Sequence, residues 1–200
     1  MSADGKIALP NRKQIRLSNE DDAVRVNKLR EKCDAILVGI DTVIEDNPKL
    51  TVKGKNSSKN PIRIILDTNG RTPLESNVLN NEAKTIIAIG NTCNINKLGN
   101  SEIIKCGNDQ INLKLLIEKL SEKGIQKILV EGGETVLWSF LNENLFDEIN
   151  IFVASTIIGG KGTPTMAGGE GFSTKKNTLK LSLKNAEKLG DGVLLTYCKI

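Results

Sequence analysis

Histidine is absent from the 200 residues. That removes Ser-His-Asp and Cys-His nucleophilic catalysis, His-ligated zinc and the His-containing signature of zinc deaminases. Acid–base work falls to carboxylates, lysines, the single tyrosine or water, or else a cofactor carries the chemistry. Aromatic residues make up only 3%, which leaves no stacking platform for single-stranded nucleic acid. No apolar run approaches the roughly 20 residues needed to cross a bilayer, and no secretory leader is visible in Met1-Ser2-Ala3-Asp4-Gly5-Lys6. The expected location is cytoplasmic. The four cysteines, Cys33, Cys93, Cys106 and Cys198, are scattered and form no metal-ligand pair. Cys33 and Cys198 sit in strongly patterned segments and are expected as buried free thiols. Charge is nearly balanced at +4 and is spread along the chain. That argues against nucleic acid but suits small anions.

Among the residues present, Ile128-Leu129-Val130-Glu131-Gly132-Gly133-Glu134-Thr135 reads as a buried strand, a glycine turn and a helix start. Adjacent glycines let backbone approach a ligand closely, because no Cβ intervenes. The N–H groups at the helix start are a natural phosphate seat, and Thr135 is placed to cap them. Glu131 falls at the carboxyl end of the strand, where open α/β sheets bind ligands. An ordinary strand-to-helix turn would have the same residues.

Elsewhere, Ser18 with an acid three residues on predicts a helix over 20–32, with Val24, Val26 and Leu29 inward and Arg25, Lys28, Arg30 and Lys32 outward. Strands are predicted over 34–40, 62–66, 85–89, 103–106 and 146–155, a short helical turn over 41–46, and a polar loop over 54–60. A helix over 113–123 follows from the spacing of Leu113, Leu116, Ile117 and Leu120. Segments 179–186 and 193–200 alternate and predict an antiparallel hairpin. With no linker and no repeat, residues 1–200 are expected as a single α/β domain, a mixed, mostly parallel sheet flanked by helices. Strand ends rich in small or polar residues (Thr42 with Asp46, Asp67-Thr68-Asn69, Gly90, Gly107, Glu131-Gly132-Gly133) would share one crevice. Gly159-Gly160-Lys161-Gly162 is a second glycine-rich turn. Neither turn is a Walker loop or a full GxGxxG, which disfavours a standard Rossmann dinucleotide site.

Taken together, Asp4-Gly5-Lys6-Ile7-Ala8, Val38 to Val43, Asp46 to Val52, Pro61 to Asp67, Glu131 to Thr135 and Gly159-Gly160-Lys161 resemble the riboflavin-biosynthesis reductases. These are the stand-alone pyrimidine reductases and the reductase half of the bifunctional deaminase–reductase. The resemblance covers nearly the whole chain in order and spacing. It implies a three-layer fold like dihydrofolate reductase, a homodimer, and NADPH as cofactor. It also implies reduction of the ribosyl group of a ribosylamino-pyrimidine 5′-phosphate to a ribitylamino product. The stand-alone form favours the diamino substrate.

Carried over by residue, Glu131 and Asp46 are the candidate catalytic carboxylates. Thr42, Asp46, Thr68, Asn69, Gly107, Gly132, Gly133, Glu134 and Thr135 fall on the cofactor side, the last four as its pyrophosphate turn. Arg16, Arg30, Leu50, Lys53 and Glu131 fall on the substrate side. No metal is implied. Each has a plainer alternative: Thr42 as a helix cap, Asp46 as a turn residue, Arg30 as a solvated helix charge, Lys53 as a loop charge. The chain departs from the family in two respects. No apolar strand precedes Ser2-Ala3-Asp4-Gly5, so either the sequence starts too late or the family's first strand is missing before Met1. Lysine at 53 lacks arginine's bidentate fork. Two further functional readings stand beside the first: dihydrofolate reductase itself, and a non-catalytic nucleotide-binding relative. The apolar alternation at Leu179, Leu181, Leu183, Val193 and Leu195 offers a dimer face.

Overall fold

Strand β1 (Ala35–Gly39) is buried along its whole length, because it is apolar on both faces and has a parallel neighbour on each side. It pairs with β2 (Ile62–Leu66) on one side and β5 (Ile128–Gly132) on the other. Beyond β2 lie β3 (Thr85–Ile89) and β4 (Glu102–Lys105), giving the all-parallel order β4-β3-β2-β1-β5. The computed structural model describes residues 1–54 and 60–200, so most of the polar loop expected over 54–60 lies outside the described residues. The chain divides into two compact units, 27–133 and 1–26 with 134–200.

In the unit 27–133, alternate strand residues Ile36, Val38, Ile65, Ile87 and Ile89 share one face and pack with Ile40, Val43, Leu50, Val78, Leu79 and Leu98. Helix α2 (Ile40–Asp46) leaves β1 without a break and is ended by Asn47 in the left-handed region, φ 42°. Helix α3 (Leu113–Glu122) buries Leu113, Leu116 and Leu120 at helical spacing, and the Asn112 side chain caps it by accepting from the Leu115 amide. Arg63 was not foreseen as special. It lies in β2, is fully buried, and donates from Nη1 to the carbonyls of Lys49 and Asn77 and to Asn80 Oδ1, and from Nη2 to the carbonyls of Asn80 and Ala83. Among the described residues no carboxylate forms an ion pair with it, and Glu82 acts on it only at longer range. One guanidinium thus ties together the segment 77–83 through the carbonyls of Asn77, Asn80 and Ala83.

In the other unit, β6 (Glu148–Val153), β7 (Leu181–Leu189) and β8 (Gly192–Lys199) form an antiparallel sheet in the order β6-β8-β7. The expected hairpin is therefore present, with β8 in the middle. Helix α4 (Glu134–Asn142) precedes it. Asp4 accepts from Ser2 Oγ and from the amides of Ile158 and Gly159. These contacts hold its carboxyl down to about 2 and fix the second glycine turn.

Helix α1 (Glu20–Lys32) has the predicted length but not the predicted face. Val24 is 56% exposed and Asp22 is buried in its place. The cause is the ion pair in which Arg25 Nε and Nη2 donate to Asp22 at 2.9 and 2.7 Å, which lets a carboxylate go inward. The cap is Asn19, not Ser18: its Oδ1 accepts from the Asp22 amide at 2.8 Å. Cys106 is the fully buried thiol, whereas Cys33 and Cys198 are half-buried.

Replacing Arg63 by Met fills the same tunnel but strands the carbonyls it serves. Each unpaired buried acceptor costs about 1–3 kcal/mol, so the loss should be at least about 3 kcal/mol. Urea unfolding with an unchanged midpoint would rule out the organising role.

Candidate active site

The strand order reverses at β1: successive strands step away on the β2 side, and the chain then returns to place β5 on the other flank. Such a switch point opens a crevice at the carboxyl ends of β1 and β5. Thr42, half-buried in the first turns of α2, and Gly133, just past β5, meet there, since a Cβ built on Gly133 would stand 3.5 Å from Thr42 Oγ1. Gly132 and Gly133 have φ of 131° and 69°. Side chains rarely adopt such backbone, so the turn presents bare peptide.

Glu131, the next-to-last residue of β5, is held by Arg30 from the last turn of α1. Arg30 Nε donates to Oε1 at 2.7 Å and Nη2 to Oε2 at 2.6 Å, while Nη1 donates to the Thr51 carbonyl at 3.0 Å. The two side chains are 19% and 18% exposed. Arg30 is therefore not a solvated helix charge. Three residues earlier on α1, Asn27 clamps Lys53 through its backbone, accepting from its amide at 2.7 Å and donating to its carbonyl at 2.9 Å. Leu50, buried, has φ 49°. Thus Arg30, Glu131 and the backbone of 50–53 form one cluster, with the Lys53 side chain exposed beside it.

At the end of β2, buried Asp67 accepts from the Arg71 and Thr72 amides and from Thr72 Oγ1. This ties the turn that carries half-buried Thr68 and exposed Asn69. The Thr68 carbonyl accepts from the Gly90 amide at 2.9 Å, and the Gly107 carbonyl from the Asn91 amide at 2.7 Å. A Cβ on Gly107 would lie 2.0 Å from the Gln110 carbonyl oxygen, so this glycine is required by its own loop. Asp46, the last residue of α2, is half-buried, and burial pushes its carboxyl up from the ordinary value.

In the unit containing α4, Glu134 opens the helix and its carboxylate takes Arg12 Nη2 at 3.1 Å and the Thr165 amide at 3.3 Å. Thr135 lies inside the helix, exposed, so it does not cap it. Arg16 is exposed, with Nε donating to the Ser18 carbonyl at 3.2 Å. The sequence reading missed Asn27, Thr51 and Arg12. Asn27 and Arg12 are polar residues in polar stretches, and Thr51 acts through its backbone, so none carries a signal in the residue pattern.

The profile of the RibD C-terminal domain matches residues 1–195. The chain belongs to that family. It is 36% identical over 98% of its length to the 2,5-diamino-6-ribosylamino-4(3H)-pyrimidinone 5′-phosphate reductase of Methanothermobacter thermautotrophicus, covering 94% of that protein. It is 37% identical over 98% of its length to the enzyme of the same name from Archaeoglobus fulgidus, covering 93% of it. Among solved structures, RibD of Acinetobacter baumannii superposes with a TM-score of 0.84 at 27% identity, over all of this chain and 55% of that longer one. Dihydrofolate reductase of Enterococcus faecalis superposes at 0.51 with 9% identity, over 99% of this chain and 91% of that one. The latter likeness extends to fold alone, and it bears out the α/β architecture expected from the resemblance.

Burial disfavours the charged form of Asp46, and its place at a helix C-terminus adds to that. With the folded carboxyl raised above its unfolded value, ionisation costs stability as pH rises through the folded value. Asp46→Asn should therefore melt higher than the unmodified protein at pH about 7, with the gap closing below the ordinary carboxylate range near pH 4. Equal melting temperatures at neutral pH would contradict this.

Proposed function

We propose that this chain reduces the ribosyl group of 2,5-diamino-6-ribosylamino-4(3H)-pyrimidinone 5′-phosphate, the compound its archaeal relatives are named for, using NADPH. The observation that carries the reading is the Arg30–Glu131 fork beside Gly132-Gly133 at the switch point of the parallel sheet.

The residues fit a dinucleotide. Gly132 and Gly133 have positive φ and no side chain just ahead of α4, and the free N–H groups at a helix start accept phosphate. The backbone N–H groups of Gly132, Gly133, Glu134 and Thr135 would hold the pyrophosphate, Thr42 and Asp46 the nicotinamide end, and Thr68, Asn69 and Gly107 the adenosine end. When bound, the cofactor supplies a hydride.

On the substrate side, the open-chain ribosylimine gains hydride at C1′, and the C=N electron pair moves to nitrogen, which takes a proton. Glu131 is a pure acceptor while its charge is held by Arg30, which suits it to hold the pyrimidine's N–H donors. Burial raises the Asp46 carboxyl above its ordinary value, the direction that suits a proton donor. Arg30 spends one N–H each from Nε, Nη1 and Nη2 on Glu131 and Thr51. One N–H remains on each terminal nitrogen for the 5′-phosphate, together with Lys53.

Glu131→Gln keeps the shape but halves the acceptor capacity and breaks the fork. Turnover should fall about tenfold or more while NADPH affinity holds, and Arg30→Ala should raise the substrate KM by about ten- to a hundredfold. NADPH should serve better than NADH. If neither variant moves either constant, the cluster is only structural, and if no NADPH is consumed with the pyrimidine phosphate, the proposed reaction is wrong.

The chain is further proposed to act in the cytoplasm as a homodimer. β7 is a mostly exposed edge strand, and Leu183 and Val193 are 55% and 41% exposed, so burial against a second copy would remove apolar surface from water. Light scattering should give twice the chain mass, and a concentration-independent monomer would refute it.

A further inference from the structure

The first residue of α4 presents a conflict of charge. Resting on the reading above, the N-terminus of this helix takes the cofactor's pyrophosphate. Yet Glu134 puts a carboxylate at that same end, where it is attracted to the same free N–H groups. A phosphate arriving there meets a resident negative charge.

The structure contains the group that offsets it. Arg12 Nη2 reaches Glu134 Oε1 at 3.1 Å, with side-chain exposures of 63% and 19%. Arg12 adopts φ 65° in a tight turn in which its amide donates to the Leu9 carbonyl. The other carboxylate oxygen is turned away onto the Thr165 amide. The Gly168 amide donates to the Glu134 carbonyl at 3.2 Å. The segment around Gly168 lies close enough that a Cβ there would stand 2.9 Å from Glu134 Cγ. The carboxylate is thereby kept on the 165–168 segment and under a guanidinium.

We infer that Arg12 is a positioning residue for cofactor binding: it neutralises Glu134 and holds its carboxylate aside, so that the helix N-terminus can accept a doubly charged pyrophosphate. Arg12 acts through Glu134 and needs no contact with the cofactor itself. The consequence separates this role from simple bracing. Loss of Arg12 harms binding only while position 134 is charged.

The test is calorimetric titration of the full chain with NADPH at low and high salt, on the unmodified protein, Arg12→Ala, Glu134→Gln and the double variant, with melting temperatures alongside. An unscreened charge a few ångströms from the phosphates corresponds to a loss of about three- to tenfold in affinity for Arg12→Ala at low salt, shrinking as salt rises. Glu134→Gln keeps the backbone N–H of position 134 and removes only the side-chain charge, so NADPH should bind to it at least as tightly as to the unmodified protein. The double variant should return to within about twofold of it, since the amide needs no counter-charge. A double variant as weak as Arg12→Ala means bracing and overturns the inference, as does unchanged affinity for Arg12→Ala. If the unmodified chain fails to bind NADPH, the cofactor reading falls, and the inference falls with it.

Discussion

The bidentate contact between Arg30 and Glu131 is the constraint on which the candidate site depends. Both side chains are about four-fifths withdrawn from water, and neither could be so without the other. Removing solvent from a lone carboxylate or guanidinium costs several kcal/mol. Two short parallel N–H···O bonds and a third to the Thr51 carbonyl offset that cost. The last turn of α1, the segment at 51 and the end of β5 are thereby fixed to one another, and Asn27 extends the grip to 53. Under the function proposed above, a substrate entering this cluster would find acceptors and donors already aimed.

Much of the scaffold was legible because the parallel strands are apolar on both faces and the linking segments begin and end on recognisable residues. β1, β2 and β3 lie where Ala35–Gly39, Ile62–Leu66 and Thr85–Ile89 read as short apolar runs. α3 follows from the leucine spacing. The failures share one cause. Hydrophobic patterning assumes that charges stay in water, and this chain buries two kinds of charge by pairing. Asp22 turns inward because Arg25 accompanies it from the next turn, and this rotates the apparent face of α1 away from Val24. Arg63 sits in the middle of a core strand because a ring of backbone carbonyls awaits it. Carbonyls have no letter in a sequence, so nothing in the pattern announces the site that will receive a cation.

The candidate site shows the same division. Glu131 and the turn after it were legible, since a carboxylate at the end of an apolar strand beside two glycines has few structural explanations. Arg30 was named, but its partner stands 101 residues away, a separation that pattern reading cannot bridge. The turn at 67–72 was visible as a polar strand end, whereas its organiser, Asp67 accepting three donors while buried, emerges only from coordinates.

Glycine gives the sharpest contrast, because two positions with the same residue at the same edge of the sheet answer to opposite demands. At Gly107 the side chain is excluded by the protein: the Gln110 carbonyl and the Asn112 amide occupy the space a Cβ would need. At Gly132 nothing lies within 4 Å of a built Cβ. Crowding therefore does not explain Gly132. The φ of 131° explains why an L side chain would be strained there, but a strand could have ended with ordinary backbone and no glycine at all. The unusual conformation leaves open the space that a side chain at 132 would point into. A loop that only had to connect β5 to α4 has no need of that space; a turn that received a ligand's phosphates, as proposed above, would use it.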